Sequence, residues 1–335
     1  MADPTALAAA ATSPYWVDDL SPFIIRFGNS DWGVRWYGMA YLAGLAWGYI
    51  MLARWARQQR SPVALQEIQD FVLYGGLGMI IGGRLGYCLL YEPHELFTHP
   101  FYLFMLWKGG MASHGGIIGL IAGTWLFARR TGKSALVLMD LIAVTGPMGI
   151  ALGRIANFIN GELWGRTTTV PWAVIFPNSV EAGGLPPAEA RAWQISHALP
   201  RHPSQLYAAF LEGFLILAIL MPLHARHRRP GLTGGVFFML YAVARFIDEF
   251  FREPDFGQPG SPGHPGILGF MSKGQAYTIP FFIAGLVAVI IVARRPSRPD
   301  LYAATPPVAP AGAGGAAPGV AAAGPAGPPP TDGRS

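Results

Sequence analysis

Charge is what this chain has least of: 13% of its 335 residues are Asp, Glu, Lys or Arg, against 52% that are hydrophobic. Soluble domains carry about twice that charged fraction. A chain this apolar needs lipid around it, and an ordinary soluble domain is excluded. Cysteine is almost absent. Cys88 stands alone, so an internal disulfide is impossible and no CxxC or Cys/His metal spacing exists. A single thiol inside an apolar run reads as a small packing residue. No Walker loop is present, which argues against a nucleotide-using enzyme. Neither HExxH nor a GxSG-type nucleophile is present, which argues against an intramembrane protease. A basic leader is missing as well. The opening MADPTALAAAATSPYWVDDL carries Asp18 and Asp19 instead, so the first spanning helix is expected to act as an uncleaved signal.

What is there in quantity is apolar sequence long enough to cross a bilayer, for which about 20 residues suffice. Seven spans are read at roughly 36–53, 70–91, 111–128, 136–156, 204–223, 233–251 and 275–293. The third, fourth and sixth are rich in Gly or hold charges, so hydropathy alone would leave them open. Basic residues settle the expected topology. Arg54, Arg57 and Arg60 follow the first span; Arg129, Arg130 and Lys133 follow the third. Arg226, Arg228 and Arg229 follow the fifth, and Arg294, Arg295 and Arg298 the seventh. A basic cluster on every second connection obeys the positive-inside rule. The expected fold is therefore an all-α polytopic membrane protein, N-terminus outside and C-terminus in the cytoplasm. The same distribution explains the excess of 24 basic over 19 acidic residues without invoking nucleic acid.

Three regions follow. Residues 1–35 form an external N-terminal segment, and 36–293 a transmembrane domain. Within it 160–203, holding Trp164, Trp172, Phe176 and Trp193 among Gly and Pro, is expected to fold as a small external cap between helices four and five. Residues 294–335 make a cytoplasmic tail, Ala, Gly and Pro almost throughout from about 301. Such a composition offers too little apolar burial to offset ordering entropy, so disorder is expected.

Ionisable groups inside spans are costly and by default mark function. Here they gather toward the outer half of the bundle. Arg154 and Asn157 lie three apart in GRIANFINGELWGR and share a helical face; Glu162 and Arg166 follow. Tyr241, Arg245 and Glu249 recur every four residues in YAVARFIDEFFREP and form one stripe. His114 sits in GGMASHGGIIG, where flanking glycines permit close approach. His202 opens HPSQLY, with Pro203 suited to a first helical turn. Each pair alone could be a structural ion pair, and His114 alone a packing histidine. Two membrane arginines, two histidines and several carboxylates together point to a phospholipid headgroup, because the planar guanidinium binds phosphate bidentately.

GRIANFINGELWGR (153–166) resembles the signature of bacterial prolipoprotein diacylglyceryl transferases. VRWYG (34–38), GGRLGYCLLYEP (82–93), KGGMASHGGIIG (108–119), RHPSQLY (201–207) and YAVARFIDEFFREPD (241–255) resemble that family's other segments, in order, over residues 35–293. The resemblance implies a multi-pass enzyme of the bacterial inner membrane that uses no metal or cofactor. Its substrates would be phosphatidylglycerol and a prolipoprotein signal peptide carrying a lipobox cysteine. The thiolate would attack the glycerol carbon bearing phosphate, forming a thioether and releasing glycerol 1-phosphate, the first step of lipoprotein maturation. The resemblance puts the base at His114 and the two essential arginines at Arg154 and Arg245. Tyr37, Asn157, Glu162, Gly165, His202, Tyr241 and Glu249 match its substrate-binding segments. One departure is Ala208, where some members carry Glu. The competing reading, a phospholipid-binding transporter or channel, would use the same charges but lacks an internal repeat.

Overall fold

The computed structural model describes residues 14–28, 32–105, 110–254, 259–261 and 263–303, without the side chains of 113, 114, 187 and 188. Long helices stand at each expected span: α1 (Trp36–Arg57), α2 (Ile68–Leu90), α4 (Ser113–Thr131), α5 (Ala135–Ile159), α7 (Ser204–Arg226), α8 (Leu232–Asp248) and α9 (Lys273–Ala293). The short α3 (Pro93–Thr98) follows α2, and α6 (Pro187–His197) lies in the cap. Among the described residues four helices are both long and apolar enough to cross a membrane: 65–90, α5, α7 and α9. The others dilute their hydropathy, α1 with aromatic rings, Gly and two arginines, α8 with Arg245 and Asp248 over 17 residues. Outward faces carry bare aliphatics such as Ile81, Leu90 and Ile118, each more than 60% exposed, a surface suited to lipid and not to water.

Packing explains why glycine crowds the α2 and α4 segments. Gly78, Gly82 and Gly86 face Gly115, Gly119 and Gly123, and a Cβ at Gly78 or Gly119 would strike the opposing backbone carbonyl. Such small-residue contact is how helices associate when lipid removes the hydrophobic drive. Arg84, 2% exposed, is consumed structurally: it donates to the carbonyls of Tyr102, Leu103, Met105 and Gly110 at 2.7–3.2 Å. Cys88 is fully buried, as a packing residue should be. One apolar core joins Leu52, Ala56, Phe71, Phe127, Leu138 and Leu141 at the basic end of the bundle. That contact pairs the end of α1 with the start of α5, so the two run antiparallel, crossing where Gly44 meets Gly149. A second core of Val144, Ile216, Leu220 and Ala244 fills the middle.

The fold departs from an all-α protein at the other end. Two small sheets form there: β1 (Trp16–Val17), β4 (Val174–Ile175) and β5 (Pro200–Arg201) in the order β1-β4-β5, and a β2 (Phe23–Arg26)–β3 (Gly33–Arg35) ribbon. β1 runs parallel to β4, with Trp16 opposite Val174. The cap is thus built jointly from 160–203 and the N-terminal segment, a long-range pairing that neither stretch reveals alone.

The tail boundary also moves. Residues 294–303 were assigned to a disordered tail, yet Pro299–Tyr302 form a 3-10 turn and Tyr302 is 2% exposed. Its hydroxyl donates to Asp140 Oδ2 at 2.6 Å, while Gly231 and Gly234 N–H donate to the same carboxylate at 2.8 and 2.7 Å. A tyrosine next to a buried carboxylate supplies what Ala, Gly and Pro cannot: a buried ring and a side-chain donor. Residues from 304 onward lie outside the described set.

Candidate active site

Arg154 lies 19 residues along α5 from Ala135, about 28 Å at the helical rise, toward the end away from the basic clusters. Its partner comes from α7. That helix is α-helical over Ser204–Ala208, π-helical over Ala209–Leu215, and α-helical again from Ile216. Single π turns recur at functional sites. Here the π turn lies flush on α5, because a Cβ at Gly213 would sit 2.5 Å from the Ala151 Cβ. The preceding Glu212, 0% exposed, is thereby presented to Arg154, whose Nε and Nη2 donate to Oε2 at 3.3 and 3.0 Å.

Glu212 also meets the second arginine. Arg245 Nη1 lies 3.5 Å from Glu212 Oε1 and 2.8 Å from Asp248 Oδ2, and its Nη2 donates to Glu249 Oε1. Arg252 Nη1 reaches Glu249 at 3.5 Å, and Ser272 Oγ donates to Glu249 Oε2 at 2.7 Å. Ser272 is the N-cap of α9, locked in a capping box with Gln275. Gly274 brings the first turn of α9 against the Glu249 carboxylate, where the helix dipole favours negative charge. The result is an alternating chain, Arg154–Glu212–Arg245–Glu249–Arg252, that fixes two guanidiniums side by side. Arg154 is 21% and Arg245 14% exposed at the side chain, so both keep an open edge.

Around this pair the signature loops are knitted together by backbone. Asn157 Nδ2 donates to Glu162 Oε1 at 2.7 Å. Gln205 Nε2 donates to the Glu162 carbonyl at 2.7 Å, and Ser204 Oγ to that of Leu163 at 3.1 Å. Gly165 N–H donates to the His202 carbonyl at 3.0 Å and Arg166 N–H to that of Phe251 at 2.7 Å. A Cβ on Gly165 would lie 2.5 and 2.6 Å from those two carbonyl oxygens. That is why glycine stands there.

His202 forms a separate group. Its Nδ1 lies 3.1 Å from the Tyr207 hydroxyl, which also receives Trp172 Nε1–H at 2.7 Å, and its ring meets Phe251 edge-on. Burial holds its imidazole below the usual histidine range. Tyr241 sits one turn before Arg245 and stacks on Phe237. Tyr37, on α1 at the same end as Arg154, pairs its hydroxyl with Tyr41 at 3.4 Å; among the described residues no hydrogen bond joins it to the arginine pair. His114 lies in the first turn of α4, and its side chain is outside the described set.

Two acids at the centre escaped the sequence reading. Glu212 interrupts an otherwise apolar run, AAFLEGFLILAIL, and the rule that singled out Arg154 would have found it. Ala208, where some family members carry Glu, is buried one turn earlier. Asp248 was passed over because it is off the four-residue stripe, although i,i+3 spacing also pairs with Arg245.

A family model described as prolipoprotein diacylglyceryl transferase matches residues 22–291. Curated proteins named phosphatidylglycerol–prolipoprotein diacylglyceryl transferase are similar over most of the chain. One from Coxiella burnetii is 41% identical over 268 residues, covering 79% of this chain and 93% of its own. One from Bordetella avium is 40% identical, covering 83% and 96%. One from Rhodopseudomonas palustris is 43% identical, covering 82% and 90%.

Proposed function

The chain belongs to the prolipoprotein diacylglyceryl transferase family, and we propose that its arginine pair grips the phosphate of phosphatidylglycerol during diacylglyceryl transfer to a prolipoprotein cysteine. The observation that carries this reading is buried Glu212 set between Arg154, hydrogen-bonded to Oε2, and Arg245, 3.5 Å from Oε1. A buried carboxylate that spends itself on spacing two guanidiniums makes a preorganised phosphate clamp, with no reorganisation left to do when charge develops.

The protein is a multi-pass transferase acting on a phospholipid and a prolipoprotein. The cysteine sulfur forms a bond to the glycerol carbon while the C–O bond to phosphate breaks. The electron pair leaves on the phosphate oxygen, so the phosphate goes from one negative charge to two. Arg154 and Arg245 are the groups that meet that added charge. The thiol, near pKa 8.5 when free, must lose its proton first, and His114 is the base by family resemblance. Asn157 with Glu162, Gly165, His202, Tyr37, Tyr241 and Glu249 shape the surrounding substrate site. All seven helices cross the membrane in this reading. The N-terminus and cap lie outside and the basic connections in the cytoplasm, in the bacterial inner membrane. The arginine pair then sits in the outer half, where a signal peptide presents its cysteine. A transporter is disfavoured by the family match.

The test is direct. Purified protein, phosphatidylglycerol and a lipobox peptide should yield a peptide heavier by one diacylglyceryl group, with glycerol phosphate released in equal amount. A peptide that stays unmodified while lipid moves between leaflets would overturn the reading.

A further inference from the structure

A cavity of about 490 Å³ opens between α1 and α7 at the end of the bundle opposite the arginine pair. Its lining is divided. Arg60, Arg228 and His224 stand at one end; Trp47, Ile50 and Met221 at the other. Among the described residues no carboxylate lies within 4 Å of Arg54, Arg60 or Arg228, although nearly every arginine at the opposite end is paired. Arg228 is instead left facing Arg60, with the Tyr302 ring 5.1 Å away. Burial and Arg60 together push its guanidinium below the usual arginine range.

Three donors there are buried without a partner. Arg228 Nη1, His224 Nε2 and Trp47 Nε1 make no hydrogen bond among the described residues. His224 is 3% exposed, and its Nδ1 lies 3.2 Å from the Thr233 hydroxyl. When that hydroxyl donates to Nδ1, Nε2 carries the proton. Two guanidiniums without a carboxylate, at the mouth of a cavity that is otherwise largely apolar, describe its ligand. Arg60 and Arg228 fit a phosphate. Trp47 lies two helical turns from Arg54, about 10 Å deeper, at the level of acyl chains. Ile50, 59% exposed, opens that end to hydrocarbon.

We propose that this cavity binds one anionic glycerophospholipid of the cytoplasmic leaflet, separate from the substrate lipid. The phosphate rests on Arg60 and Arg228, and an acyl chain runs along Trp47, Ile50 and Met221. The orientation rests on the topology proposed above.

The test uses the full-length protein in neutral detergent. Native mass spectrometry would follow retention of dioleoyl phosphatidic acid, with phosphatidylcholine and inorganic phosphate as competitors. The R60Q/R228Q variant should bind phosphatidic acid at least about tenfold more weakly. R294Q/R295Q, which removes the same charge from exposed positions at the same end, should bind as the natural protein does. Ala225 is an exposed cavity residue, and A225W should block the lipid while keeping every charge, so the test survives if the double arginine variant fails to fold. Equal weakening by both charge-removing variants would reduce the effect to general surface attraction and overturn the proposal. Displacement by inorganic phosphate at the lipid's own concentration would reassign the cavity to free phosphate and overturn it too. Peptide lipidation measured on the same samples separates this failure from a failure of the transferase reading.

Discussion

Replacing Arg154 by lysine isolates geometry from charge. The Nε–Nη2 edge of Arg154 is spent on Glu212 Oε2 at 3.3 and 3.0 Å, which leaves Nη1 for the substrate phosphate. Lysine has one ammonium and must serve either Glu212 or the phosphate. Because Glu212 is 0% exposed, the ammonium will stay with it, and that contact preserves the fold. Transfer then loses one charge-assisted bond to the leaving group, worth about 2–4 kcal/mol, or roughly 30- to 1000-fold in rate. The leaving phosphate gains charge in the transition state, so the loss should fall on kcat more than on KM. The assay is peptide lipidation at saturating phosphatidylglycerol, beside a thermal-unfolding check that the variant matches the natural protein. A correctly folded lysine variant turning over at near-natural rates would refute the assignment of Arg154 as a phosphate ligand.

Glu212→Ala should destabilise the protein by about 3–5 kcal/mol, since it strands the Arg154 guanidinium while Arg245 keeps Asp248 and Glu249, whereas Glu212→Gln should fold better yet still lose transfer; equal folding of both would remove the bridge from the argument. Gly165→Ala should abolish turnover without preventing membrane insertion, because its Cβ would meet carbonyl oxygens at 2.5 and 2.6 Å; a fully active variant would show that the joint yields. Deleting residues 304–335 should leave activity and thermal midpoint unchanged, while deletion from 299 should cost about 1–3 kcal/mol through the lost Tyr302–Asp140 bond, read by thermal unfolding. In the cap, burial pushes the Asp18 carboxyl up to about 6 from 3.8 despite Arg191 nearby. A raised carboxyl favours the fold when protonated, so its contribution is complete below about pH 3.8 and lost as pH rises through about 6. Amide protection at Val174 and Ile175, corrected for intrinsic rates, should therefore be greater at pH 5 than at pH 8. Asp18→Asn should flatten that difference.

The bundle was legible because its information is local. Apolar length marks each helix, Arg and Lys mark its ends, and i,i+4 spacing exposes the Tyr241–Arg245–Glu249 stripe without any tertiary knowledge. What sequence could not give is which acid meets which arginine. Arg154 and Glu212 are 58 residues apart, and a π turn, which no periodic pattern announces, decides where Glu212 points. The cap stayed hidden for a related reason: Trp16 and Val174 pair as isolated two-residue strands, too short for an alternating pattern. Tyr302 was lost in the bias of its neighbours, since averaging over an Ala/Gly/Pro stretch erases the one residue that docks.

The Asp140 site sets an order on biosynthesis. Asp140 leaves the ribosome 91 and 94 residues before the Gly231 and Gly234 amides, and 162 before the Tyr302 hydroxyl. At about 5–20 residues per second, the last donor arrives about 8–30 s after the carboxylate it completes. Through that interval the acid near the start of α5 lacks its hydroxyl donor, so docking of the chain end completes a site that the rest of the bundle leaves open.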